Sequence, residues 1–75
     1  MQELDLKRVK FLREEKGYSQ QQMAIMLGMK DKSNYNRYEK GVYAFNADFV
    51  PKLADVLGVS MDSLFTHKVT NLETY

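Results

Sequence analysis

Residues 17–41 read GYSQQQMAIMLGMKDKSNYNRYEKG, and this stretch decides the fold. Gly17 and Gly28 bracket one apolar-periodic run, and Gly28 and Gly41 bracket a second, more polar one. Glycine adopts the left-handed conformation that ends a helix, and Ser or Asp side chains satisfy the free N–H groups that begin the next. Ser19 and Asp31 stand at the two starts. The stretch is therefore two short helices joined by a tight turn. On the second, Tyr35 and Tyr38 face one side. Lys32, Ser33, Asn36 and Arg37 fall largely on the other, because spacings of three and four share a helix face.

The same punctuation extends outward. Gly17, Gly28, Gly41 and Gly58 are each followed by a good N-cap: Ser19, Asp31, Asn46 and Ser60. Four stops paired with four starts predict five helices. Helix 1 is expected from about Asp5 to Lys16, with Leu6, Val9 and Leu12 inward and Phe11 packing with Leu4 on a second face. Helix 2 begins at Ser19, where Gln22 completes a capping box and Tyr18 with Met23 suits a hydrophobic staple. Its inward stripe is Met23, Ala24 and Leu27. The loop from Gly41 to Asn46 is apolar for a connection. Phe45 is its expected anchor, and Tyr43 is expected at the surface. Helix 4 carries Val50, Leu53, Ala54 and Leu57 at helical spacing. Pro51 is the fifth residue after an Asn46 cap, one past the turn where proline is harmless. Either the helix starts later, near Asp48, or it opens irregularly; the second is preferred. Helix 5 starts at Ser60 and is short, with Met61, Leu64 and Phe65 apolar.

Size and composition bound the rest. Seventy-five residues with 44% apolar side chains make one folded domain. The economical solution is a compact all-α five-helix bundle. No cysteine is present, which excludes disulfides and thiolate metal sites. The lone His67 has no ligand cluster, so no metal or cofactor is expected. No nucleophile–base pair, spaced carboxylate pair or phosphate-binding loop points to an enzyme. No apolar run reaches the roughly 20 residues of a membrane span, and the N-terminus lacks signal-peptide order; the expected location is cytoplasmic. Net charge is only +1, but it is uneven. Residues 1–43 carry nine Lys/Arg against six Asp/Glu, and residues 44–75 carry two against four. A mildly basic front can orient on a polyanion.

Taken together, Leu12-Arg13, Tyr18-Ser19-Gln20, Met23-Ala24, Leu27-Gly28, Tyr38-Glu39 with Gly41, Leu53-Ala54, Leu57-Gly58-Val59-Ser60 and Leu64-Phe65 resemble the phage-repressor/Cro-type (XRE-like) helix-turn-helix family. The resemblance covers about residues 4–66. It implies a lambda-repressor-like bundle, a helix-turn-helix formed by helices 2 and 3, and binding to double-stranded DNA. Residues 1–67 would form the DNA-binding domain and residues 68–75 a C-terminal tail. The implied activity is that of a transcriptional regulator, a dimeric repressor reading a pseudo-palindromic operator with helix 3 in the major groove.

By the same resemblance, Lys32, Ser33, Asn36 and Arg37 occupy base-reading positions. Lys32 and Arg37 suit guanine, and Asn36 suits adenine. Gln20 matches a glutamine that holds a phosphate and braces the recognition helix. Arg13 and Glu39 match an ion pair between helices 1 and 3. Lys40 and Tyr43 lie near the backbone-contacting loop. Two departures stand out. Phe45 replaces a frequent proline, and the chain from Gly28 to Glu39 is one residue longer than usual. The extra residue is placed in the turn at Met29-Lys30, which lets Lys30 or Asn34 enter the contact set. Phe65, Val69, Leu72 and Tyr75 read either as a dimer surface or as scattered apolar residues of a tail. The competing reading is a protein-interaction module, an antitoxin or anti-repressor partner, built on the same bundle. No effector domain is visible, so the chain reads as a complete regulator or as the DNA-binding part of a longer one.

Overall fold

A computed structural model of the chain describes residues 3–66. The element order is β1 (Glu3–Leu4), α1 (Leu6–Lys16), α2 (Gln20–Leu27), α3 (Lys32–Glu39), α4 (Phe49–Leu57), a 3-10 turn (Met61–Leu64) and β2 (Phe65–Thr66). Among the described residues the expected five helices are thus four, with a single 3-10 turn in place of the fifth.

Most of the punctuation acts as the sequence suggests. Asp5, Ser19, Asp31 and Ser60 each accept a backbone N–H three residues on. At Ser19 the box is complete, since the Gln22 side chain accepts from the Ser19 N–H at 2.8 Å. Helices α1, α2 and α4 end on left-handed Gly17, Gly28 and Gly58.

Asn46 does not cap α4. Its Oδ1 accepts from Asp48 N–H at 3.0 Å, closing a local Asx turn, and the helix begins at Phe49. Pro51 is then the third helical residue, inside the first turn, where an N–H has no helical partner to lose. The later start removes the difficulty that proline raised.

The fifth helix stops after one turn because its carbonyls are already taken. Asp5 N–H donates to Leu64 O at 2.7 Å, and Arg8 Nε donates to Ser63 O at 2.7 Å. The chain then extends, and β1 pairs antiparallel with β2, Glu3 opposite Thr66 and Leu4 opposite Phe65.

The core is Val9, Met23, Ala24, Leu27, Tyr35, Leu53, Ala54, Leu57 and Leu64. Leu4, Leu12, Tyr18, Met29, Phe45 and Val50 pack against it, half-buried. Phe11 lies 55% exposed on α1, outside the set of residues that, like Leu4, pack against the core. Tyr38 is half-buried rather than core. It packs against the rings of Tyr43, Phe45 and Phe49 at centroid distances of 5.4, 5.0 and 5.6 Å. Phe45 therefore anchors the loop through aromatic contacts. His67, Val69, Leu72 and Tyr75, and with them the proposed tail and C-terminal apolar stripe, lie outside the described residues.

Candidate nucleic-acid interface

The packing of α3 on α2 and α1 turns one of its faces inward. That face holds Tyr35 and Glu39, four residues apart and both buried. A buried carboxylate must be paired or it is very costly. Glu39 is paired by three neighbours. Arg13 Nε donates to Oε2 at 2.8 Å and Arg13 Nη2 to Oε1 at 3.2 Å, a two-pronged contact. The Tyr35 hydroxyl donates to Oε2 at 2.7 Å, and Gln20 Nε2 donates to Oε1 at 3.2 Å. Arg13 spends another donor on the Tyr18 carbonyl at 2.9 Å. Helices α1, α2 and α3 thus meet at one charged knot.

The knot shifts its members' ionisation. Burial pushes the Glu39 pKa up, but hydrogen bonds from Arg13, Tyr35 and Gln20 outweigh it, and the net shift is down. Burial, with the adjacent carboxylate, holds the Tyr35 hydroxyl well above the usual tyrosine range. A lowered carboxylate pKa stabilises the fold at pH values above the unfolded value of about 4.3, and that contribution disappears as pH falls through the folded pKa. A raised phenol pKa stabilises below about 10, and its contribution disappears as pH rises beyond that. Thermal melts from pH 3 to 11 are therefore expected to show a plateau with losses at both ends. Glu39→Gln is expected to flatten the acid limb relative to the parent; an unchanged acid limb would assign it to other carboxylates.

Outward from the knot, α3 presents its polar face. Lys32, Ser33 and Arg37 are exposed, and Asn36 and Asn34 are half-buried. Ser33 and Arg37 stand one turn apart. Asn36 lies on the flank nearest α2, where its Oδ1 accepts from Gln20 Nε2 at 3.0 Å. The loop after α3 folds back, with the N–H groups of Val42 and Tyr43 donating to Arg37 O at 2.8 and 3.2 Å. This sets the Tyr43 ring beneath the Arg37 guanidinium, 5.9 Å from Cζ to the ring centroid. Lys30 is exposed in the turn between α2 and α3, and Lys40 is exposed just past α3. The neighbouring Met29 donates its N–H to Ala24 O at 2.8 Å and tucks its side chain against the core. The longer turn is absorbed there, and Asp31 still caps α3.

One feature escaped the sequence reading. A cleft between α1 and α3 is lined by Leu6, Lys7, Lys10, Arg13, Glu14, Gln20, Asn36, Glu39 and Lys40. On α1 itself Lys7 and Lys10 are exposed, solvent-facing side chains. The signal was available: Lys7, Lys10 and Arg13 are spaced by three, so an Arg13–Glu39 contact carries both lysines to the edge of α3. Gln20 was expected to hold a phosphate, but both hydrogens of its side-chain amide are spent inside the protein, on Glu39 and Asn36.

A helix-turn-helix family model matches residues 9–64. The chain belongs to the XRE-type helix-turn-helix family. Within this family it is similar to YonR of Bacillus subtilis (strain 168), described as an SPbeta prophage-derived uncharacterized HTH-type transcriptional regulator. The two are 41% identical over 68 residues, which cover 88% of this chain and 62% of the relative. The chain thus spans less than two thirds of that relative's length. Helices α2 and α3 and the turn that joins them lie within the matched residues. No helix among the described residues is long and apolar enough to cross a membrane.

Proposed function

We propose that the chain is a transcriptional regulator, a repressor that binds double-stranded DNA as a dimer and inserts α3 into the major groove. The observation that carries this reading is the outward face of α3. Lys32, Ser33 and Arg37 are exposed hydrogen-bonding side chains on a helix whose opposite face is fixed by Tyr35 and Glu39. A rigid helix with a polar face can match the donor and acceptor pattern of base edges. Asn36 adds a fourth reader on the α2 flank.

Lys7, Lys10 and Lys40 serve the phosphates on the α1 side, and Lys30 and Tyr43 serve them at the turn and loop. Lysines at a cleft rim carry no sequence information but set register and affinity. Gln20 contributes to a phosphate through its main chain, since its N–H lies in the first turn of α2 where helical partners are missing. Selection from random DNA is the experiment that tests the function. A recurrent motif with two inverted half-sites supports it, and recovery of unenriched sequence would overturn it.

The lysines give a separate prediction. Lys7→Ala/Lys10→Ala is expected to weaken binding to all sequences alike. The slope of log K against log salt should fall by about 0.9 for each lost phosphate contact. A change in preferred sequence would instead place these lysines at base edges.

Dimerisation is supported by a mostly apolar groove lined by Leu4, Phe45, Ala47, Val50, Pro51, Met61 and Phe65, with Asp62 its one charged residue. Met61 is 49% exposed there. Met61→Lys is expected to shift sedimentation toward monomer and to lower operator affinity at fixed protein concentration. An unchanged sedimentation profile would move the dimer contact elsewhere.

A further inference from the structure

We propose that Asn36 is a specificity-determining residue whose hydrogen-bonding polarity is set from inside the protein, by the buried Arg13–Glu39 pair acting through Gln20. This inference rests on the DNA-binding reading above and names what one of its residues recognises.

The relay can be followed atom by atom. An ionised carboxylate accepts hydrogen bonds and donates none. Glu39 is held ionised by the two-pronged contact from Arg13 at 2.8 and 3.2 Å. The group that faces it from Gln20 must therefore be the amide nitrogen, and Nε2 lies 3.2 Å from Oε1. That nitrogen has one hydrogen left, and it points to Asn36 at 3.0 Å. Asn36 must answer with its oxygen. The two ends of a side-chain amide are ordinarily told apart only by their hydrogen-bond network. Here the network begins at a fixed charge, so both amides have one permitted orientation. Asn36 Oδ1 turns toward α2, and its Nδ2 donors are left for an outside partner.

A base read by this group has to offer acceptors. Guanine presents N7 and O6 in the major groove and no donor beside them. Adenine offers N7 but also an N6 donor that needs the asparagine oxygen, for which it would compete with Gln20. Cytosine presents a donor, which the outward Nδ2 cannot accept. Thymine offers only one acceptor, O4, beside its methyl group, where guanine offers two side by side for the two Nδ2 hydrogens. The relay therefore points Asn36 to guanine, in place of the adenine expected from the residue type alone. Gln20 is a positioning residue in this scheme, because it acts through Asn36.

Two experiments test the relay, one of them without DNA. In the free protein, NMR is expected to show both Gln20 side-chain amide protons exchanging slowly with water and the Asn36 amide protons exchanging fast. The reverse order would overturn the relay whether or not the protein binds DNA. In selection from random DNA, Asn36→Ala identifies the base pair this residue reads, as the position whose preference it erases. The parent chain is expected to favour guanine there by about tenfold or more. Gln20→Met keeps length and helix propensity but removes the relay. It is expected to cut the preference at that position below about threefold while the remaining positions stay as they were. Asn36→Asp keeps the bond from Gln20 but turns the outward group into an acceptor. It should bind more weakly overall and exchange guanine for cytosine on the same strand. Adenine, cytosine or thymine selected by the parent, or a Gln20→Met motif identical to the parent's, would overturn the proposal. Loss of preference at every position in Gln20→Met would mean that Gln20 only holds the helices together, and would overturn it too. If the parent selects no motif at all, the DNA-binding reading fails, and proton exchange alone decides the relay.

Discussion

Glu39→Ala is expected to cost about 3–5 kcal/mol of folding stability, the range for breaking a buried ion pair by removing one partner. The loss has named parts. Arg13 would lose two hydrogen bonds and keep only Glu14, 3.8 Å from Nη2, as a counter-ion; Tyr35 would lose the acceptor of its hydroxyl, and Gln20 would lose one of its two bonds. A small domain has about 5–15 kcal/mol in total, so much of the fold is at stake. Urea denaturation followed by circular dichroism at pH 7 would measure it. A cost under about 1 kcal/mol would show that the knot is replaceable by water. The paired change Arg13→Met/Glu39→Leu is expected to recover much of that loss, since well-packed apolar pairs often replace buried ion pairs; what remains is about 1–3 kcal/mol for the buried Tyr35 hydroxyl left without its acceptor. It would nevertheless remove the charge that orients Gln20. The double variant therefore separates folding from recognition.

The second large effect concerns DNA. Lys32→Ala/Arg37→Ala is expected to reduce discrimination between a selected site and random DNA by about a hundredfold, at about 1–3 kcal/mol for each good base contact. Both side chains are exposed, so the fold should survive the change. Arg37 is expected to carry the larger share, because Tyr43 holds its guanidinium over a ring before DNA arrives. Measuring binding at two salt concentrations distinguishes the outcomes. Unchanged discrimination would sink the assignment of α3 as the reading helix. A uniform drop with a shallower salt dependence would make both residues phosphate contacts.

The frame of this fold was legible because it is written in local signals. Gly17 with Ser19, Gly28 with Asp31 and Gly58 with Ser60 each act within a few residues, and each did so here. The misreadings lie where a competing local turn or a distant part of the chain intervened. Asn46 has the chemistry of a cap, yet it closes a turn on Asp48 and leaves the helix start to Phe49. Ser60 does start a turn, but the carbonyls that would extend it bond to Asp5 and Arg8 at the other end of the sequence. Strands of two residues show no alternation, so β1 and β2 carried no pattern to find. Phe11 was paired with Leu4 across a second face seven residues apart, and it stays 55% exposed.

The site divides in the same way. The polar face of α3 follows from helical spacing within one segment. Contacts among Gln20, Asn36 and Glu39 required α2 and α3 to be docked first. Lys7 and Lys10 were hidden for a similar reason. On α1 alone they are ordinary solvent-facing lysines, and only the approach of α3 makes them the wall of a cleft.

The short pairing of Glu3–Leu4 with Phe65–Thr66 has an architectural consequence. It brings the two ends of the described chain side by side, so the bundle occupies one point along a polypeptide path instead of a span of it. Such a unit can be spliced into a surface turn of an unrelated host with little spreading of the host's own chain. It also suits circular permutation, with old ends joined by a short linker and new ones opened in the exposed Val42–Ala44 segment. A permuted chain that still melts cooperatively would show that the order of the helices is incidental to the knot that joins them.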